Sequence, residues 1–388
     1  MVAPSGSEAA AIPQAAPAAG GSSALDQVLA SLREHRALAV LVLAYVAMCY
    51  LLRLIFGYDV LAPIGRGTLR VWFIYTLIAL SLPTAYHLIK FQLSYSRMPT
   101  GARGEGLGGL VQQWAQYRMQ HFSVFRISGV VVACAILSIF MTSFLAYKRA
   151  IPLFHPFAWD LAFMRADRAV HLGTHPWELL QPLFGNVSAT VVIDWVYVLW
   201  LRTIPLVIAW QVWNRDRALR AQFLLTYAIS SILIGTVLAT WLSSAGPCYY
   251  AEVVGQPDPY VGLFAALADV SASHPLNVLR LQDLLWQGYL GNGQFYGISA
   301  MPSMHVALPT LYVLVGFRTR RWLGWVFVAY LLAILIGSVH LGWHYAIDGY
   351  VSILAVWVVW VAVGLSKASS AGGRMRFATL RNGHRPSR

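Results

Sequence analysis

In "SVHLGWHYAIDGY" a histidine and an aspartate, His344 and Asp348, stand four residues apart at the start of an apolar run. On a helix that spacing stacks both side chains on one face. The carboxylate then accepts the proton of one ring nitrogen, fixes the tautomer and leaves the other nitrogen free as base or nucleophile. A third titratable group, His305, lies upstream in "SAMPSMHVALP". Pro302 suits the first turn of a helix there, because its missing N–H would be unpaired anyway. Free amides at such a helix start, together with the positive end of the helix dipole, favour an anion. A phosphate fits this cradle better than a cation does. The chemistry expected of these residues is binding and cleavage of a phosphate ester.

The chain around them is built for a bilayer. Of 388 residues 58% are hydrophobic and only 11% charged, with a mean hydropathy of +0.59. Soluble domains carry about 25% charged residues. The formal net charge of +13 and the pI near 9.9 come from basic residues scattered in short loops between apolar runs. That distribution fits membrane loops and anionic headgroups, and excludes nucleic acid as a partner. The three cysteines suggest no disulfide and no metal site.

Eight apolar runs approach the ~20 residues needed to cross: roughly 37–56, 69–89, 124–146, 189–213, 222–245, 302–317, 322–340 and 346–366. The fold expected is therefore all-α, a polytopic membrane protein with about eight transmembrane helices. Residues 1–36, rich in Ala, Gly and Ser, read as a disordered tail. Residues 367–388 read as a disordered basic tail that tethers to anionic lipid. The aromatic stretch between runs three and four reads as an interfacial helix and a turn. Residues 246–297 read as a long functional loop or lid.

With eight crossings, one side of the membrane holds nineteen Lys and Arg and the other eight, with Arg202 inside run four. The richer side is cytoplasmic, so "SAMPSMH" and the turn at 340–346 face outward. A helix over 302–317 spans about 24 Å of a hydrocarbon layer about 30 Å thick. His305 then lies slightly below the outer surface, in a recessed pocket. The expected location is the plasma membrane with the site on its extracytoplasmic face, or a Golgi membrane with the site facing the lumen in a eukaryote.

"PSMH" followed by "SVHLGWHYAIDG" resembles the type-2 phosphatidic acid phosphatase superfamily. "DRAVHLGTHP" and "SSAGPCYY" are similar to its branch of aureobasidin-sensitive inositol phosphorylceramide synthases. The resemblance covers roughly 124–366 and implies a six-helix phosphatase-like core there, with two additional helices and a cytoplasmic loop over 37–123. It implies that His344 is the nucleophile that becomes phosphohistidine, that Asp348 orients it, and that His305 is the general acid and base. It implies no metal and no cofactor, a phospholipid donor, and water or a lipid hydroxyl as acceptor. Sphingolipid chemistry of the inositol phosphorylceramide synthase type, or plain lipid phosphate hydrolysis, are the two activities it suggests.

The pattern is incomplete. Ala239 and Gly246–Pro247 stand where the family has a Lys and an Arg-Pro, Ser338 stands for its phosphate-binding Arg, and Met304 for its Gly. Phosphoryl transfer depends on charge stabilisation, so other cations must serve. Arg202, eight residues from Asp194, is one candidate, as an ion pair or a substrate contact. Lys148, Arg149, Arg165, Arg168 and Arg280 lie on the outward side. The resemblance implies that Ser303 and nearby amides hold phosphate oxygens; Pro302, Ser338 and His340 complete the expected contacts, with packing at the interface the other reading of His340. A lipid transporter, a scramblase or a non-catalytic scaffold are the rival classes, but the chain shows no internal repeat of the transporter kind. His171 and His175 are spaced like a metal pair, yet Gly173 and Pro176 break the helix such a pair needs.

Overall fold

The computed structural model describes residues 23–58, 66–99, 106–292 and 296–382. Among them there are helices and connections but no strand. The expected disordered tail lies outside the described residues over 1–22, and from there a helix α1, Ala24–Glu34, begins at once. Its start is encoded locally: Ser23 caps the Asp26 amide while the Asp26 carboxylate accepts from the Ser23 amide.

Four helices follow: α2 (Arg36–Phe56), α3 (Arg66–Ser96), α4 (Gly106–His121) and α5 (Val124–Phe154). Next come α6 (Asp160–Val170), α7 (Pro176–Phe184), α8 (Val187–Val198), α9 (Trp200–Val212) and α10 (Arg217–Trp241). The last five are α11 (Val261–Ser273), α12 (Asn277–Tyr289), α13 (Met304–Thr319), α14 (Arg321–His340) and α15 (Ala346–Asn382). Six of these, α2, α3, α5, α10, α14 and α15, are long and apolar enough to cross a bilayer.

The other two expected crossings are helical but depart from a plain span. The run at 189–213 is broken at Leu199 into α8 and α9. Pro205 cannot donate to the Leu201 carbonyl, and the turn ahead of it tightens, with the Arg202 amide bonded to the Leu199 carbonyl at 2.9 Å. Helix α13 has only 16 residues and starts two later than expected. Pro302 lies outside it, after a cis peptide bond with Met301, and Ser303 is its N-cap.

Two loop expectations change. Residues 246–297 hold α11 and α12 rather than an open lid, and the basic segment after Lys367 continues α15 as helix to Asn382, with 383–388 outside the described residues. The aromatic stretch after α5 folds as expected, into α6 and a turn leading to α7. One hydrophobic core joins α2, α5, α9, α10 and α13, and a second joins α6, α8, α11 and the start of α15. The residues of interest sit at the seam between them.

Candidate active site

His344 lies in the turn between α14 and α15, and Asp348 in the first turn of α15. Nδ1 of His344 donates to Asp348 Oδ2 at 3.1 Å, and Asp348 is fully buried. A carboxylate can only accept, so the proton rests on Nδ1 and Nε2 carries the lone pair. Nε2 in turn lies 3.0 Å from Nδ1 of His305, in the first turn of α13. His305 Nδ1–H is the donor of that contact. The Ser303 amide donates to the Asp348 carbonyl at 3.3 Å, tying the two motif stretches by backbone as well.

Buried carboxylates of α6 hold this arrangement. Asp167 accepts from the amides of Ala346 and Ile347, both at 3.1 Å, and so caps α15 immediately after His344. Asp160 accepts from Ser244 Oγ, the amides of Ala245 and Gly246, and Tyr345 Oη, at 2.7 to 3.0 Å. It thereby joins "SSAGP" to the His344 turn. Gly246 has φ +99°, and a Cβ there would stand 2.6 Å from the Trp343 carbonyl. The backbone occupies the space beside the site where the family pattern has an arginine. The roles of Asp160 and Asp167 escaped the sequence reading, although their spacing of two helical turns puts both on one face.

His305 is framed by aromatic rings, with Trp200 at 4.3 Å and Tyr197 stacked at 5.0 Å between centroids. These residues flank the break at Leu199, so the junction of α8 and α9 brings both rings to the imidazole. Burial, and after it the Lys148 cation, push the His344 imidazole down to about 3, against the opposing pull of the Ala300 carbonyl. It is neutral at pH 7.

Of the cations expected on the outward side, Lys148 of α5 reaches the site. It lines, with His305, His344, Ser299 and Trp343, a cavity of about 70 Å³. Lys148, Gly297 and His305 also line a larger cavity of about 400 Å³ on the other side. Among the described residues Lys148 has no carboxylate within ion-pair distance.

The remaining expected contacts lie elsewhere. Ser338 turns its hydroxyl to the Leu335 carbonyl at 2.8 Å, and its own carbonyl accepts from the Trp343 and His344 amides, so it shapes the turn. His340 Nε2 bonds to Thr190 Oγ1 at 3.0 Å, facing α8. Arg202 is exposed and lines neither cavity. Asp194, its expected partner, instead caps α12 through the Asn277 and Val278 amides. Pro302 and Ser303 are buried, and the Ser303 hydroxyl accepts from the Val306 amide at 3.4 Å. His171 bonds to Tyr350 and His175 begins α7, each in its own turn of the structure.

A family model described as the PAP2 superfamily matches residues 161–362. Neither a curated protein nor a solved structure matches the chain.

Proposed function

The chain belongs to the PAP2 superfamily, and from that premise we propose that it cleaves a phospholipid phosphoester through a phosphohistidine and passes the phospho group to a lipid hydroxyl. The hydrogen-bonded chain Asp348–His344–His305 carries this reading. In it, the bound phosphate anion holds His305 as the imidazolium, His344 Nε2 attacks phosphorus, and the ester oxygen departs with the proton of His305 Nδ1, which leaves His305 neutral. The acceptor hydroxyl then attacks the phosphohistidine, returns a proton to His305 Nδ1 and releases His344. Asp348 holds the ring and offsets the positive charge it gains.

Lys148 supplies charge to the phosphate oxygens in place of the cations missing from the family pattern. The reaction uses no metal. An inositol phosphorylceramide synthase-like donor and acceptor pair follows the resemblance of "DRAVHLGTHP" and "SSAGPCYY". The Lys and Arg distribution supports a site on the extracytoplasmic face, or facing the lumen of a Golgi membrane in a eukaryote.

A second reading, hydrolysis by a lipid phosphate phosphatase, is favoured by the 70 Å³ cavity at His344, which has room for water but none for a second lipid. The test is incubation of the purified protein with headgroup-labelled phospholipids, with and without ceramide or diacylglycerol. An acid-labile phosphoryl-enzyme is expected in the wild type and none in His344→Ala. Undiminished turnover in His344→Ala would end the proposal, and release of free phosphate regardless of added acceptor would select hydrolysis.

A further inference from the structure

The 400 Å³ cavity beside the imidazole pair is walled partly by a helix outside the matched segment. Val71, Ile74 and Tyr75 of α3 line it together with Leu201 and Ile204 of α9, and α3 packs on both α5 and α9. Its volume falls in the range of small-molecule sites, about 300–1,000 Å³. Among the described residues its walls carry no carboxylate, and apart from tyrosines their titratable groups are Lys148 and His305. Those two residues also line the small cavity that holds His344. Ile74 and Leu201 are 51% and 62% exposed, so the chamber can be reached from the surface the lipid would cover.

An apolar chamber that ends on a lysine and an imidazole matches one kind of molecule, an amphiphile with hydrocarbon beside an anionic phosphate. We propose that α3 forms one wall of a chamber for a hydrocarbon tail of the lipid whose phosphate meets Lys148 and His305. This rests on the phosphoryl-transfer reading above, and gives the additional N-terminal helices a share in selecting substrate. A tail arriving from the bilayer gains no hydrophobic free energy, since lipid tails are as apolar as the walls. Selection is therefore by fit, and filling the chamber must discriminate by chain length.

Two experiments on the full chain test it. In the first, Ile74→Trp is compared with wild type on dioleoyl- and dihexanoyl-phosphatidic acid in detergent micelles. The ratio of kcat/KM for the long over the short substrate is expected to fall at least tenfold, chiefly through KM. A ratio within twofold of wild type would overturn the proposal. In the second, phosphatidic acid carrying a mid-chain diazirine is photolysed with wild type and with His344→Ala in vesicles. Adducts are expected between Val71 and Tyr75 in both proteins, and adducts confined to other helices would overturn the proposal. Crosslinking needs no turnover, so α3 adducts without wild-type turnover would defeat the catalytic reading alone, and turnover without α3 adducts would defeat the chamber alone.

Discussion

Nδ1 of His305 and Nε2 of His344 lie 3.0 Å apart, in direct contact and with no space for a phosphorus atom between them. An attacking nitrogen needs about 3 Å to phosphorus, and the acid needs a further hydrogen bond to the departing oxygen. On the proposed mechanism the two nitrogens must part to about 6 Å or more when substrate binds. A structure with orthovanadate is expected to show that separation. A bound vanadate with the 3.0 Å contact intact would refute in-line transfer between these rings.

Removing the proposed acid should hurt poor leaving groups most. His305→Ala is expected to lower turnover of an alkyl phosphoester about 10²- to 10⁴-fold, and turnover of p-nitrophenyl phosphate far less, since nitrophenolate departs without a proton. Parallel kinetics on the two substrates check this. Equal losses would make His305 a positioning residue.

Lys148 is expected to act by charge alone. Lys148→Gln should lower kcat/KM about 10²-fold, and Lys148→Arg should recover part of the loss. A glutamine variant with wild-type kinetics would leave the missing family cations without a replacement.

The buried His344 sets the acid limb. Its imidazole titrates near 3 in the folded protein against ~6.5 in the unfolded chain, so the unfolded state binds the extra proton in between. Its stabilising contribution is complete above pH 6.5 and is lost progressively as pH falls toward 3. By the same shift the nucleophile of the free enzyme stays neutral, and kcat/KM should show no His344 titration between pH 5 and 8. An acid limb near 6.5 that His305→Ala does not remove would contradict this.

Asp160 is expected to be structural. Asp160→Ala leaves four buried donors unpaired, each costing about 1–3 kcal/mol, and should destabilise the protein by at least ~3 kcal/mol. Thermal unfolding in detergent measures it. A melting temperature equal to wild type would mean that the "SSAGP" segment is held by other contacts.

Much of this was legible in one dimension because its causes are local. The apolar runs set the helices, and the spacing of His344 and Asp348 pointed to their pairing, although His344 reaches Asp348 from the turn ahead of α15 and not from a shared helical face. Local signals also misled: the Pro302 helix-start rule placed α13 two residues early, because Ser303 offers the better cap. The basic tail read as disordered, yet the α15 helix continues into it as far as Asn382.

What the sequence by itself determined is the bilayer environment, the helical class and the carboxylate–imidazole pair, each encoded in contiguous residues. Only the tertiary structure decided which cation faces the imidazoles, set His305 against His344, and turned Arg202 and His340 away. It also gave Asp160 and Asp167 their work of fastening "SSAGP" and α15. Those outcomes depend on how helices far apart in the chain pack, and packing sums many weak contacts that no local spacing records.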